Sequence, residues 1–248
     1  MSYLIRGDTL VFDRYLWLCK HLPRTKGKET LLDVGCGSGA ITLAACKRGY
    51  KCVGLSWDEE NQRKAQARSV TLALNSSINF PIFDARALDQ YPTTDRYDFV
   101  VNFENIEHII DDKKLFKDMC KLLKPGGRLL LTTPNFNYWP MSADDLGPYE
   151  KVEDGRHVRR GYSPTMLLEL CKLSGMEVER IEYCSGFVSQ ISTRLFRYLS
   201  EKAGLPVAWA VVLPLRPLSA LAEFIGFRLR GYSICLVAYR PRFQKILD

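Results

Sequence analysis

The sequence predicts an α/β fold in which a mostly parallel sheet is covered by helices on both faces. Short apolar runs alternate with amphipathic segments along the chain, the pattern of strands buried between helical layers. A glycine-rich turn, LLDVGCGSGA at 31–40, joins one such apolar run to the amphipathic segment after it. A chain of 248 residues that is 46% hydrophobic also has enough apolar surface for a sizeable core, roughly three quarters of the unfolded surface being buried at this size.

The elements follow in order. TLLDV (30–34), KCVGL (51–55), INFPIF (78–83), YDFVVN (97–102) and GRLLLTT (127–133) have the length and apolar content of buried strands. Between them AITLAACKRG, DEENQRKAQARSVTLAL and DDKKLFKDMCKLLK carry apolar residues at helical spacing, with Asp58 a natural N-cap of the second. The third ends at Pro125, Gly126 and Gly127, which stop a helix just ahead of a strand. Ser163 with Pro164 starts a helix over SPTMLLELCKLSG, followed by the strands MEVERIEYC (176–184) and YSICLVAYR (232–240). Residues 134–162 and 185–229 fall outside this alternation and read as insertions in a single domain spanning 1–248, placed to cap a site.

Composition narrows the class. The net charge of +7 favours anionic partners, but the basic residues are scattered, and nucleic acid is disfavoured by the apolar insertion. The eight cysteines form no CxxC pair, which suggests reduced thiols and a cytoplasmic protein. The N-terminus lacks the basic segment and uninterrupted apolar run of a secretory signal. LPVAWAVVLPL (205–215) is too short to cross a bilayer and is closed by Arg216 and Pro217, so no membrane span is expected.

The glycine turn alone is ambiguous, because Gly35, Gly37 and Ala40 also satisfy the dinucleotide pattern GxGxxG/A. A nicotinamide-binding unit places an acid at the end of the next strand; here VGLSWDEEN has Ser56. Together with FDAR around Asp84, YDFVVNFENIEHI and LKPGGRLLLTTPN, the chain resembles the class I S-adenosylmethionine-dependent methyltransferases, in the branch that includes the ubiquinone-pathway O-methyltransferases. The resemblance covers roughly residues 28–184 and the final strand. It implies a Rossmann-like, seven-stranded sheet with an antiparallel last strand and S-adenosylmethionine across the carboxyl ends of the first strands. It also implies that Asp33, Gly35, Gly37 and Gly39 surround the methionine part, that Asp84 with Ala85 meets the adenine amino group, and that Asn102 and Phe103 lie beneath the sulfonium. Ser56 departs from the usual acidic ribose ligand. The local string resembles the cyclopropane-synthase-like variant, in which Ser56 and Asn61 take that role; Trp57 either stacks on adenine or packs in the core.

FENIEHI (103–109) puts Glu104, Glu107 and His108 just after the fourth strand, where a helical turn brings all three to one face. The spacing resembles the divalent-metal ligands of the ubiquinone branch and of small-RNA 2′-O-methyltransferases, with His157 placed where a fourth ligand arises; Mg or Mn suits such a set. Three readings stay open: a metal site, a catalytic proton acceptor at His108, or a structural turn. Phe136, Tyr138, Trp139, Met141, Tyr149 and His157 in the first insertion are candidates to wall an acceptor pocket. The expected function is methyl transfer to oxygen or nitrogen of a hydrophobic, aromatic small molecule of natural-product or quinone type. A small-RNA 2′-O-methyltransferase and a non-enzymatic cofactor-binding scaffold are the alternatives. The apolar second insertion is a lid first, a homodimer contact second and a peripheral membrane contact third.

Overall fold

A computed structural model describes residues 8–140, 144–149, 151–224 and 231–242. Its centre is a seven-stranded sheet: β1 Thr30–Val34, β2 Lys51–Leu55, β3 Ile78–Asn79, β4 Tyr97–Phe103, β5 Leu123–Pro134, β6 Glu177–Cys184 and β7 Ser233–Tyr239. The spatial order is β3-β2-β1-β4-β5-β7-β6; β7 pairs antiparallel with both β5 and β6, and the remaining pairs are parallel. This agrees with the predicted architecture. The expected strand at 78–83 is shorter, because Pro81 lacks the N–H that a ladder needs, and pairing resumes only at the Ser56–Ile82 bridge.

Alternation along the strands divides the core in two. Leu32, Val34, Val100, Leu129 and Leu131 face one side, where they meet helices α4 (Asp112–Leu122) and α5 (Pro164–Ser174) through Phe116, Met119, Leu167 and Leu170. Leu31, Phe99, Val101 and Leu130 face the other, packing with α1 (Thr9–His21), α2 (Ala40–Cys46) and α3 (Glu59–Thr71) through Trp17, Leu18, Leu43, Ala45 and Ala65. The period of two therefore makes two apolar layers from one sheet.

No element ahead of residue 30 is expected from the periodicity, yet α1 is there. Asp8 caps it by accepting from the Val11 amide, and the helix is anchored to β6 by Glu182, which accepts from Trp17 Nε1 at 2.8 Å and Lys20 Nζ at 2.7 Å. The second insertion is helical: α6 Phe187–Ala203, α7 Leu205–Val212, a 3₁₀ turn at Leu213–Leu215 and α8 Arg216–Phe224. Arg216 and Pro217 do not close this apolar run. Pro214 and Pro217 sit in first turns, where a missing N–H costs little, and Arg216 folds inward over the rings of Phe12 and Trp209 at 5.5 and 5.0 Å. Leu205–Ala222 is consequently 18 residues of apolar helix, long enough by length and composition to cross a membrane. Strand β6 runs parallel to β5, so α6–α8 leave the sheet at its carboxyl end.

Candidate active site

At the end of β1 the chain turns sharply, and the amides of Gly35 and Cys36 both donate to the Leu55 carbonyl, at 3.0 and 2.8 Å. Gly35 and Gly37 have φ of +79° and +51°, the left-handed region that glycine enters without strain. A Cβ on Gly37 would meet nothing within 4 Å, so its backbone is open to a ligand. A Cβ on Gly35 would lie 2.2 Å from Asn105 Cγ, so the β4 exit packs directly on the glycine turn. Gly39 forms the N-cap of α2. Asp33 lies beneath the turn, almost fully buried, accepting from Thr42 Oγ1 at 2.6 Å; burial pushes its carboxyl up to about 7 although the Thr42 bond opposes this.

The turn opens on a cleft of about 460 Å³ at the carboxyl ends of β1, β2 and β4, the position where open α/β sheets bind ligands. Gly35, Gly37, Ser56, Trp57, Asn61, Asp84 and Ala85 all line it, bringing most of the candidate cofactor residues together. Trp57 is 59% exposed, which leaves its ring available to a ligand and excludes the core-packing alternative. Ser56 is buried and its hydroxyl accepts from the Asp58 amide at 3.3 Å, while Asp58 caps α3 by accepting from the Asn61 amide. Asp84 is held by the Arg86 guanidinium, whose hydrogen bonds lower its pKa. Asn102 and Phe103 do not line the cleft. Asn102 is fully buried, its amide nitrogen donating to the Val34 carbonyl at 2.9 Å, and Phe103 packs on Trp17.

The ExxEH segment departs from the expected single helical face. Glu104 takes a left-handed φ of +49°, and only Ile106–His108 form a turn, a 3₁₀ one. The Glu104 carboxylate is consequently drawn to Arg14 of α1 at 2.9 Å and Ser233 of β7 at 3.1 Å. Glu107 is fully buried against Thr133, whose hydroxyl donates to it at 3.0 Å; burial, then repulsion by Glu104, pushes its carboxyl up to about 8. Its Oε1 lies 4.0 Å from His108 Nε2 and has no hydrogen-bond partner among the described residues, and nor has His108 Nδ1. Ligand atoms of Glu107, His108 and His157 all lie within 4.8 Å of one another, and the two imidazoles meet edge to face at 4.7 Å. The candidate metal group is therefore three residues, with Glu104 held outside it by its ion pair.

His157 arrives through the first insertion. The Val158 amide donates to the Glu107 carbonyl at 3.0 Å, and Arg159 pairs with Asp112 while donating to the carbonyls of Ile109 and Ile110. Glu153 accepts from the Ile110 amide and from Arg86, which draws Glu153, Asp154 and Gly155 along the cleft wall beside Trp57. Arg86, Asn105 and Glu153 were not visible as site residues in the sequence. Only the DAR string hinted at Arg86, and nothing local marks Glu153.

A second cavity of about 670 Å³ is lined by His108, Asp145, Tyr149, Arg156 and His157, and shares His108 and Gly155 with the first. The aromatic candidates for its wall separate in space. Tyr149 lines it; Tyr138 is buried against Tyr232, Phe136 lies under Arg160, and Trp139 stacks on Phe187 at 5.8 Å. Met141 lies outside the described residues. The cavity beside His108 is thus more polar than the aromatic string suggests.

Residues 12–181 match the family model described as a methyltransferase domain. Among curated proteins, norajmaline N-methyltransferase of Rauvolfia serpentina is 29% identical over 128 residues, 51% of this chain and 43% of that one. The mitochondrial ubiquinone biosynthesis O-methyltransferase of Homo sapiens is 34% identical over 124 residues, 48% of this chain and 33% of that one. The matched region thus spans less than half the length of either curated relative. Among solved structures, an S-adenosylmethionine-dependent methyltransferase from Mesorhizobium loti superposes with a TM-score of 0.61 at 20% identity, covering 95% of this chain and all of that one (100%), a likeness of fold.

Proposed function

The chain belongs to the methyltransferase-domain family, and on that premise we propose that it transfers a methyl group from S-adenosylmethionine to an oxygen or nitrogen of a hydrophobic, aromatic small molecule. The observation that carries this reading is the pair of cavities meeting at His108, one walled by the glycine turn and the other by polar side chains of the first insertion. The residues present fit an adenosyl cofactor: an open glycine backbone at Gly37, an exposed indole at Trp57, a carboxylate at Asp84, and a buried amide nitrogen, Asn105 Nδ2, without a hydrogen bond among the described residues. When bound, S-adenosylmethionine supplies a methyl already activated on a sulfonium. The protein's task is then to align the acceptor and exclude water, which is worth about 7–11 kcal/mol of the barrier.

His108 lines both cavities, which supports it as the group that takes the acceptor's proton. The loop 151–162, pinned through Val158, Arg159 and Glu153, supports a capping role for the first insertion. The insertion's polar groups, Asp145, Tyr149, Arg156 and His157, suit the acceptor's heteroatom. Eight unpaired cysteines support a reducing, cytoplasmic setting. A second reading, with a divalent cation such as Mg or Mn on Glu107, His108 and His157, is favoured by the lack of a hydrogen bond at Glu107 Oε1 and His108 Nδ1 among the described residues and by the closeness of the three donors. There the same residues would hold the ion, which would lower the pKa of an acceptor hydroxyl.

The test is incubation of the purified chain with S-adenosylmethionine and a panel of phenols, catechols and aromatic amines, scored by S-adenosylhomocysteine formed. Turnover lost in His108→Ala with cofactor affinity kept is the expected result. Failure of the wild-type chain to bind S-adenosylmethionine by calorimetry would overturn the reading.

A further inference from the structure

Helices α7 and α8 are amphipathic in the sense opposite to that of a water-facing helix. Their inward stripe is Ala208, Val212, Arg216 and Ser219, at steps of four, four and three residues, all buried against the protein. The outward face carries Leu205, Val207, Val211, Leu218, Leu221 and Phe224, which are between 43% and 87% exposed. A helix that packs on a soluble protein turns its Leu and Phe inward; here Leu205, Leu218, Leu221 and Phe224 point away, while Ala208, Val212, Arg216 and Ser219 point in and Trp209 packs on Phe196. Only 22% of the Leu205–Ala222 window is buried. Contiguous apolar surface of this kind marks an interaction site.

The chemistry of that face selects its occupant. Among its described residues from Leu205 to Leu221, no exposed side chain carries a hydrogen-bonding group. A protein interface needs about one hydrogen bond per 100–200 Å² to set its register, whereas acyl chains need none. The adjoining helix α6 adds exposed Arg197 and Lys202, with Glu201 beside them, and basic side chains of this kind are attracted to anionic headgroups. Whole-chain charge is +7. The run also lies along the protein rather than standing clear of it: α7 and α8 pack on α6, and Arg216 is fixed over Phe12 and Trp209.

We propose that the outward face of α7–α8 docks on the surface of an anionic phospholipid bilayer, with Leu205, Val207, Val211, Leu218, Leu221 and Phe224 in the acyl boundary and Arg197 and Lys202 at the headgroups. The chain lies on the membrane and does not cross it.

Flotation of the full chain tests this, with vesicles of phosphatidylcholine alone and of phosphatidylcholine mixed with phosphatidylserine. The expected result is flotation with the mixed vesicles and weaker flotation with the neutral ones. Leu218→Asp combined with Leu221→Asp should reduce binding by about tenfold or more, since each removes a buried apolar side chain and adds a charge. The melting temperature of that variant should stay unchanged, because both side chains are exposed in the free protein. Arg197→Glu with Lys202→Glu should abolish the preference for phosphatidylserine. The proposal is overturned if the wild-type chain stays in the bottom fraction with both vesicles, or if flotation is unaffected by the Asp pair. It is equally overturned if light scattering shows a lipid-free dimer that the Asp pair dissociates and that never floats.

Discussion

Arg14 Nη2 and Glu104 Oε2 lie 2.9 Å apart and join the N-terminal helix to the left-handed residue at the exit of β4. Ser233 completes the tie by donating to the other Glu104 oxygen at 3.1 Å. The pair therefore closes one side of the site and decides which way Glu104 faces.

Removing Arg14 leaves a largely buried carboxylate without its counter-charge. Arg14→Ala should cost about 3 kcal/mol in urea unfolding. Adding Glu104→Gln should recover part of that loss, since a neutral amide is cheaper to leave there. A loss below about 0.5 kcal/mol would show that the pair is solvated in solution.

The two cleft glycines should behave differently. Gly37→Ala meets no neighbour, so it should destabilise by only about 1–2 kcal/mol through its positive φ while weakening S-adenosylmethionine binding in calorimetry. Gly35→Ala drives a Cβ into Asn105 at 2.2 Å and should lower both stability and affinity. In the double variant with Asn105→Ala the stability losses should be less than additive, since the colliding side chain is gone.

Asp33 gives a pH dependence with a defined sign. Its carboxyl rises from 3.8 to about 7 in the folded state, so between those values the folded chain holds a proton that the unfolded chain has released. Stability from this group is complete below pH 3.8 and declines as pH rises toward about 7, by up to roughly 1.4 kcal/mol per unit. Asp33→Asn removes the titration. Urea midpoints across that range should fall more steeply for the wild type than for the variant, and parallel curves would refute the assignment.

Metal and proton readings of the Glu107, His108 and His157 group separate on chelation. If an ion is held there, EDTA abolishes turnover, Mn²⁺ restores it, and His157→Ala weakens Mn²⁺ binding followed by electron paramagnetic resonance. Full activity in chelator retires the ion and leaves His108 as the proton acceptor.

Much of the scaffold was legible in the sequence because its signals are local. Apolar runs of strand length, the caps at Asp58 and Ser163, and the glycine turn each act within a few residues of chain. The candidate site was legible where residues sit at strand ends: Ser56, Trp57, Asp84 and His108 reach the cleft because β2, the Ser56–Ile82 bridge beyond β3, and β4 end there. Asn102 and Phe103 share such a strand end yet turn away from the cleft, since side chains alternate along β4 and its neighbours on each side set what they meet.

By itself, then, the sequence determined the alternation of elements, the sharp turn after β1 and the position of Glu107 and His108 just past the end of β4. Only the tertiary structure decided that Glu104 pairs with Arg14, that His157 joins the imidazole of His108, and that α7–α8 turn Leu205, Leu218, Leu221 and Phe224 outward. Helix and strand periodicity come from short-range backbone geometry, which neighbouring residues encode. Partners across the fold, and which side of an apolar helix is buried, depend on distant segments packing together, so no local pattern carries them.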